Sequence, residues 1–284
     1  MSDRPVYEFP ADLIEKLRAA RHVAVLTGAG VSAESGIPTF RDALTGLWAK
    51  YDPMTLATRE AFQENPRLVW EWYTWRRNRV GEADPNPAHY ALVEIERRVP
   101  HFTLITQNVD GLHHRAGSVH VIELHGNITR VKRFDDDVIV ERWEDNGLDP
   151  VRCPDTGSLL RPDVVWFGEL LPAEALQTAQ AAAVNCDIFF TIGTAAMVEP
   201  AASLPRLAMN YGTPVVIVNP AVTLRSSSSL YLLKGPAGQI LPALVQAHGA
   251  YSIERYSCND RSAYRTPDRA AGAALPARCG APTD

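Results

Sequence analysis

Residues 22–33 read HVAVLTGAGVSA, and this stretch decides the fold. Its first half, His22–Thr27, is a short apolar, valine-containing run, which predicts a strand. The second half places Gly28, Gly30 and Ala33 at the spacing G-x-G-x-x-G/A. Small residues at these positions let the backbone approach a pyrophosphate, whose charge then lies at the N-terminus of the following helix. A plain strand-to-helix turn has the same pattern, so the spacing alone leaves both interpretations open.

Further short apolar runs follow along the chain, with helical patterns between several of them. The runs cover 102–106, 119–123, 188–192 and 215–219, and helical spacing marks 12–20, 89–97 and 173–184. Strands that alternate with helices predict a parallel sheet with crossover connections. Because the runs are continuously apolar, both faces of the sheet are expected to be covered, as in a doubly wound, Rossmann-like α/β fold.

Two stretches interrupt this alternation of strands and helices. One is rich in aromatic residues, and the other is charged and rich in turns. We therefore predict a Rossmann-like domain from 1–35, 86–128 and 163–254, with a smaller inserted domain from 36–85 and 129–162. Residues 255–284 contain few large apolar side chains, which is typical of a disordered tail.

Composition excludes several classes of protein. The chain has 284 residues, 46% of them hydrophobic and 21% charged, which is ordinary globular usage. A net charge of −5 provides no basic field for a phosphate backbone, so direct nucleic-acid binding is disfavoured. Four cysteines without a C-x-x-C spacing are typical of a reducing compartment. Without a signal-peptide pattern or an uninterrupted membrane-length apolar segment, a cytoplasmic protein with no membrane partner is expected.

Five blocks of sequence carry a more specific signal. They read GAGVSAESGIPTFR (28–41), TQNVDG (106–111), ELHGN (123–127), PDVVWFGE (162–169) and GTAAMVEPA (193–201). In this order and spacing they resemble the sirtuins, which are NAD-dependent protein lysine deacylases, and the likeness runs from about residue 23 to 244. The resemblance implies NAD as the cofactor and acyl-lysine proteins or peptides as substrates. It also implies a tunnel for the acyl-lysine between the Rossmann-like domain and the small domain.

The resemblance implies three catalytic residues, His125, Asn108 and Asp110. Asn108 and Asp110 match the residues that orient nicotinamide so that it leaves as positive charge develops at the ribose. His125 matches the general base that takes a proton from a ribose hydroxyl after nicotinamide has left, and an ordinary pKa of about 6.5 suits a histidine to this role. An isolated histidine after a strand is more often structural, so this assignment depends on the flanking blocks.

The resemblance also implies a larger set of NAD-binding residues. They are Gly28, Ala29, Gly30, Ser32, Glu34, Phe40, Arg41, Gln107, Asn108, Asp110, Gly193, Thr194, Ala195 and Asn219. Phe40 and Arg41 fall in a loop that is expected to close over the reacting carbon and exclude water. Ala195 stands where the family usually has serine, which removes one hydroxyl contact. The ribose-binding acid expected about 20 residues after the fingerprint is missing, so a non-standard hold on the dinucleotide is expected.

The stretch VWEWYTWRR (69–77) bears on the acyl group. Tyr73 and Arg76 are three residues apart on a predicted helix, so both can project from one face and bind a terminal carboxylate. The matching pair in class III sirtuins recognises succinyl, malonyl or glutaryl lysine, and Ala57 matches the small residue that widens that pocket. In the family, one segment pairs as a strand with the backbone of the substrate peptide. Its counterpart here is Val165, Trp166, Phe167, Gly168 and Glu169. A helix face that serves packing alone is the alternative.

The chain departs from the family at its structural zinc site. Sirtuins carry two cysteine pairs there, but this chain has Arg133 and Asp136 at the first pair and Cys153 and Thr156 at the second. One thiolate cannot build a tetrahedral site, so we predict no zinc and no other metal. The inserted domain is thus expected to derive from a zinc-binding module and to fold by packing and turns.

The leading prediction is NAD-dependent removal of acidic acyl groups from protein lysines, with weaker deacetylation, releasing nicotinamide and O-acyl-ADP-ribose. One alternative is an ordinary NAD-dependent lysine deacetylase, in which Tyr73 and Arg76 serve structure. Another is an ADP-ribosyltransferase or NAD glycohydrolase that uses the same pocket. A non-catalytic NAD-sensing module is disfavoured because the three catalytic positions are all filled.

Overall fold

The computed structural model describes residues 7–38, 51–144, 151–195 and 197–249. Its strands are β1 (His22–Thr27), β2 (His101–Thr106), β3 (Val121–Glu123), β4 (Gly126–Arg133), β5 (Leu160–Val164), β6 (Ile188–Ile192), β7 (Val215–Val218) and β8 (Leu230–Leu233). Its helices are α1 (Ala11–Ala19), α2 (Pro53–Leu56), α3 (Arg59–Glu64), α4 (Pro66–Glu82), α5 (Pro87–Arg98), α6 (Leu112–Ala116), α7 (Ala173–Asn185), α8 (Leu204–Asn210) and α9 (Ala237–His248). Phe40, Arg41 and the predicted tail 255–284 lie outside the described residues.

Six strands form one parallel sheet in the order β3-β2-β1-β6-β7-β8. From β1 the chain proceeds outward through β2 and β3, and it then returns to place β6 on the other side of β1. This reversal opens a crevice at the carboxyl ends of β1 and β6, which is where ligands bind in open α/β sheets. The predicted Rossmann-like α/β fold is confirmed.

Helices cover both faces of this sheet. On one face, α1, α5 and α9 pack against alternate residues of β1, and the shared core includes Leu13, Leu92, Leu241, Val23 and Val25. On the other face, α7 and α8 pack with Ala179, Leu204, Ala24 and Leu26. Successive strand residues point to opposite faces, so a strand buried on both sides is apolar throughout. No helix within the described ranges is both long and apolar enough to cross a bilayer.

Strands β4 and β5 and helices α2, α3 and α4 form a second cluster with its own core. Strands β4 and β5 make a separate antiparallel sheet, and α2, α3 and α4 pack near it around Phe62, Trp72, Tyr73, Ile128 and Trp166. Asn65 begins α4 by accepting a hydrogen bond from the N–H of Leu68, with Pro66 at the first helical position. The domain boundaries proposed at 128 and 162 fall within β4 and β5, and the division into two domains stays a prediction.

Two buried histidines lie beneath the carboxyl end of the sheet. The rings of His89 and His113 are 4.8 Å apart, and His113 Nε2 lies 2.9 Å from the Thr27 hydroxyl. His89 Nδ1 accepts a hydrogen bond from the N–H of Asn86, which caps α5. Burial lowers the pKa of His89 to about 4 and holds the pKa of His113 well below its ordinary value. Both imidazoles are therefore neutral in the folded protein at neutral pH.

This burial predicts a loss of stability in mild acid. A histidine with a lowered pKa binds its proton more readily in the unfolded chain, so stability is complete above about pH 6.5 and declines as pH falls towards 4. His89 alone is expected to remove about 2 kcal/mol from the free energy of unfolding between pH 7 and pH 5. His89→Gln keeps an acceptor for the cap and should flatten this dependence in urea unfolding. An unchanged slope in His89→Gln would exclude this histidine as the source.

Candidate active site

The loops that follow β1 and β6 interlock at the crevice. The N–H of Gly30 donates to the carbonyl of Gly193 over 2.8 Å, and a Cβ on Gly30 would lie 2.7 Å from that oxygen. Gly193 itself has φ of +61°, a left-handed conformation that favours glycine. Close backbone approach therefore requires glycine at both positions. The prediction of a helix directly after the fingerprint is wrong within 28–38, where two 3₁₀ turns, Ala29–Val31 and Ala33–Ser35, follow β1 instead.

The tight contact at Gly30 gives a testable expectation. Gly30→Ala forces the two loops apart and should lower the free energy of unfolding by about 1–3 kcal/mol, as overpacking does. Gly81→Ala is the matched control, since Gly81 lies in α4 with no atom within 4 Å of the added methyl. Because alanine favours helices, the control should gain up to about 1 kcal/mol. Urea unfolding measures the free energy of unfolding of both variants. Equal changes in Gly30→Ala and Gly81→Ala would contradict the close contact between the two loops.

Buried polar side chains line the crevice floor between the loops after β1 and β2. Asn108 donates from Nδ2 to the Gly28 carbonyl (3.2 Å) and to the Ser32 hydroxyl (3.1 Å). The Ser32 hydroxyl in turn donates to Asp110 Oδ2 over 2.7 Å. Burial raises the pKa of Asp110, while hydrogen bonds from the Leu112 N–H and from Ser32 act against that shift. The structure thus brings together three of the predicted cofactor-binding side chains, two of which are also predicted to be catalytic.

His125 follows β3 at the same edge of the sheet. Its Nδ1 lies 2.9 Å from the carbonyl oxygen of Gln107, which can only accept a hydrogen bond. Nδ1 must therefore carry the proton in the neutral ring, and Nε2 is left as the basic nitrogen. Burial lowers the pKa of His125, and the Gln107 carbonyl partly opposes this shift. The geometry and the electrostatics both favour a neutral imidazole with an available Nε2.

The other predicted cofactor residues divide into two groups. Asn219, after β7, donates from Nδ2 to the Thr194 carbonyl over 3.0 Å, which ties two strand ends together next to the exposed Ala195. Glu34 instead contacts α9, where its carboxylate accepts a hydrogen bond of 2.7 Å from the N–H of Gly238. A carboxylate at the first turn of α9 stabilises that helix terminus, so the structure gives Glu34 a structural contact.

Tyr73 and Arg76 lie on α4, as predicted, and Arg76 is partly buried. Tyr73 is buried, and its hydroxyl oxygen accepts a hydrogen bond of 2.9 Å from the indole N–H of Trp166. Burial raises the pKa of Tyr73 to about 12, although the nearby Arg76 charge opposes the shift. Burial likewise lowers the pKa of Arg76, against the influence of Tyr73. The two side chains thus lie close enough to influence each other's pKa, with Tyr73 buried and Arg76 partly buried.

The segment from Val165 to Glu169 connects this environment with the crevice. The Val165 N–H donates to the His125 carbonyl (3.0 Å), and the Phe167 N–H donates to the carbonyl of the buried Ala57 (2.9 Å). Gly168 has φ of +86°, and the segment forms one isolated bridge instead of a regular strand. These two N–H groups already donate within the protein. A peptide strand added here would therefore form its hydrogen bonds mainly with the backbone carbonyls of the segment.

A buried ion pair fixes the same segment. Arg161 is fully buried and binds Glu169 through two hydrogen bonds, of 2.6 and 2.9 Å, while its guanidinium stacks 3.5 Å from the centre of the Trp166 ring. Burial would raise the pKa of Glu169, but hydrogen bonds from Arg161, the Trp166 N–H and Arg59, together with the Arg161 charge, hold the value at about 2. Glu169, predicted to bind substrate, is thus engaged within the protein. Arg161 was not predicted, although an arginine in the apolar stretch SLLRP (158–162) is a signal that could have revealed it.

Comparison with known proteins assigns the chain to a family. The sequence model of the Sir2 family matches residues 28–200. An NAD-dependent protein deacylase of Methylococcus capsulatus is 51% identical over 248 residues, which cover 84% of this chain and 97% of that protein. The chain belongs to the Sir2 family. The predicted recognition as a sirtuin is therefore confirmed.

Solved Sir2 structures agree with this assignment. The crystal structure of a Sir2 homolog–NAD complex matches with a TM-score of 0.78 at 42% identity, over 85% of this chain and 94% of that one. A complex described as Sir2, p53 peptide and NAD+ matches with a TM-score of 0.73 at 29% identity, over 83% and 97% of the two chains. The crevice of this sirtuin lies on a sheet shared with proteins that have been solved with NAD.

Proposed function

We propose that this NAD-dependent protein deacylase of the Sir2 family removes acidic acyl groups, such as succinyl, malonyl or glutaryl, from protein lysines. Deacetylation is the weaker activity in this proposal. The observation that carries it is the pair of the buried Tyr73 and the partly buried Arg76, joined through Trp166 to the segment that contacts His125. Acyl-lysine proteins are the proposed partners. The expected cytoplasmic location and the absence of membrane or nucleic-acid partners stay predictions from composition.

The proposed NAD site lies along the carboxyl ends of the strands. The interlocked glycines let a pyrophosphate approach the backbone between β1 and β6, and Asn219 with Thr194 borders the adenosine side. Asn108 and Asp110, held together by Ser32, are proposed to orient the nicotinamide end. When bound, NAD supplies the ribose carbon that the acyl oxygen attacks as nicotinamide leaves. Phe40 and Arg41, which lie outside the described residues, are also proposed to bind NAD.

His125 is proposed as the general base. With its proton held on Nδ1 by the Gln107 carbonyl, Nε2 can take a proton from a ribose hydroxyl after nicotinamide has left. The lowered pKa keeps the ring neutral and ready to act at neutral pH. A positioned base of this kind contributes about 10²–10⁴-fold to a rate.

Charge and hydrogen bonding at Tyr73 and Arg76 favour the binding of an acidic acyl group. The Trp166 indole donates to the Tyr73 oxygen, so the phenolic proton is directed elsewhere and can be donated to a carboxylate. A pKa of about 12 keeps that phenol protonated. Arg76 supplies the opposite charge from a partly buried position, where an anion and a guanidinium attract each other more strongly than in bulk water.

A neutral isostere tests recognition of the carboxylate directly. Succinyl-lysine peptide is compared with the same peptide carrying the terminal primary amide in place of the carboxylate, and kcat/KM is measured with NAD for both. We expect the amide to be about 10²-fold worse, because the guanidinium and phenol lose their charged partner. Equal values would favour the ordinary deacetylase. Rapid NAD consumption without any acyl peptide would favour the NAD glycohydrolase instead.

A further inference from the structure

Two turns of the same form lie between the ends of β4 and β5. In the first, the N–H of Asp137 donates to the Arg133 carbonyl over 3.1 Å, and Asp137 has φ of +58°. In the second, the N–H of Gly157 donates to the Cys153 carbonyl over 2.9 Å, and Gly157 has φ of +75°. Each turn thus spans five residues, and the fifth is left-handed.

The backbone holds these two turns side by side. Arg133 pairs with Leu160 across the β4–β5 ladder, and the Phe134 N–H donates to the Leu159 carbonyl over 2.9 Å. The first and fourth residues of each turn are Arg133 and Asp136, and Cys153 and Thr156. This is twice the C-x-x-C spacing of a structural zinc site, in which each turn offers two ligands.

The four side chains do not fit a zinc ion. A guanidinium has no lone pair to give to a metal, and a threonine hydroxyl is not among the usual ligands of structural zinc. Only the Cys153 thiol and the Asp136 carboxylate could coordinate, which is half of a tetrahedral set. Within the described ranges, no three His, Cys, Asp or Glu side chains are grouped so that they could hold a metal ion.

A charged hydrogen-bond cluster occupies the corresponding place. Arg133 binds Asp136 with both arms of its fork, Nε to Oδ1 at 2.9 Å and Nη2 to Oδ2 at 2.5 Å. The Arg133 guanidinium also interacts electrostatically with the buried Cys153 of the second turn, and Cys153 interacts with Thr156. All four side chains at the ligand positions are therefore joined around one positive charge.

We propose that the guanidinium of Arg133 replaces a structural metal ion, as a built-in cation that clamps the two turns through Asp136 and Cys153. The positive charge lies where a cation would hold the turns together, and Asp136 supplies a negative partner. A guanidinium stays protonated in proteins, so the clamp is always charged. The module then needs no metal to fold, whatever acyl group the enzyme prefers.

The first test uses the full-length protein and two single variants. Wild type should carry no zinc by elemental analysis after purification with zinc present, and its Tm should not change with EDTA. Arg133→Gln should lower the Tm by about 2–4 °C. Arg67→Gln removes an exposed arginine–carboxylate pair on α4 and should change the Tm by less than about 1 °C. One equivalent of zinc whose removal lowers the Tm of wild type, or equal Tm values for the two variants, would overturn the proposal.

The second test rebuilds the metal site. Arg133→Cys, Asp136→Cys and Thr156→Cys together with the native Cys153 complete four thiols on the two turns. This triple variant should bind one zinc per chain in an indicator titration, and EDTA should then lower its Tm. Adding Cys153→Ser should weaken zinc binding by at least about 10²-fold. A folded triple variant that binds no zinc would show that the turns do not face one another, and if it fails to fold, the first test decides.

Discussion

Replacing His125 with alanine is expected to lower kcat for deacylation by about 10²–10⁴-fold, which is the usual contribution of a general base. The base acts after nicotinamide has left, so a single turnover with acyl peptide should still release nicotinamide while O-acyl-ADP-ribose forms slowly. His120→Ala, on the exposed side of the same region, is the control and should leave kcat within about 2-fold. A kcat that stays unchanged in His125→Ala, with only binding affected, would favour a non-catalytic NAD-sensing module.

The pH profile gives an independent view of the same residue. Burial lowers the pKa of His125, and a base must be neutral to accept a proton. The acid limb of kcat/KM should therefore have its midpoint below the ordinary histidine value of about 6.5. A midpoint above that value would mean that the ring is protonated more readily than its surroundings in the structure allow.

Replacing Arg76 with methionine is expected to change the acyl preference. An acidic acyl group would then bury its carboxylate without a charged partner, a loss of about 3–5 kcal/mol for a buried pair, so kcat/KM for succinyl-lysine should fall by about 10²–10⁴-fold. Acetyl-lysine has no carboxylate and should lose less than about 3-fold. Tyr73→Phe removes one hydrogen bond and should lower desuccinylation by about 10-fold.

Two controls separate recognition from folding in this experiment. Arg79→Met changes an exposed arginine one turn further along α4 and should leave both activities intact. The Tm of Arg76→Met should stay close to that of wild type, since methionine retains much of the aliphatic stem. If Arg76→Met lowers desuccinylation and deacetylation by the same factor, Tyr73 and Arg76 serve structure and the enzyme is an ordinary deacetylase.

Local sequence pattern predicted the centre of the sheet well. The apolar runs at β1, β2 and β6 match the observed strands closely because strands buried on both faces need continuous apolar residues. The pair β8 and α9 was missed. A serine-rich stretch at 225–229 precedes β8, and α9 contains Pro242, so neither element has a strong local signal. Both are stabilised by packing against the rest of the sheet.

The sequence did not predict the partners of Glu34 and Glu169, because these partners are brought to them by the fold. Asn108, Asp110 and His125 follow neighbouring parallel strands, whose carboxyl ends meet at one edge, so motif and topology agree. Glu34 and Glu169 lie within matching blocks, but their carboxylates bind Gly238 and Arg161. These contacts depend on the folded structure, and no spacing pattern in the sequence indicates them.

The measurement that tests the central claim most directly is a kinetic panel on the wild-type enzyme. Peptides of one sequence carrying acetyl-, malonyl-, succinyl- or glutaryl-lysine are compared by kcat/KM with saturating NAD. The Tyr73 and Arg76 pair predicts that at least one acidic acyl group exceeds acetyl by about 10-fold or more. The highest kcat/KM for acetyl-lysine would contradict this account of the acyl site.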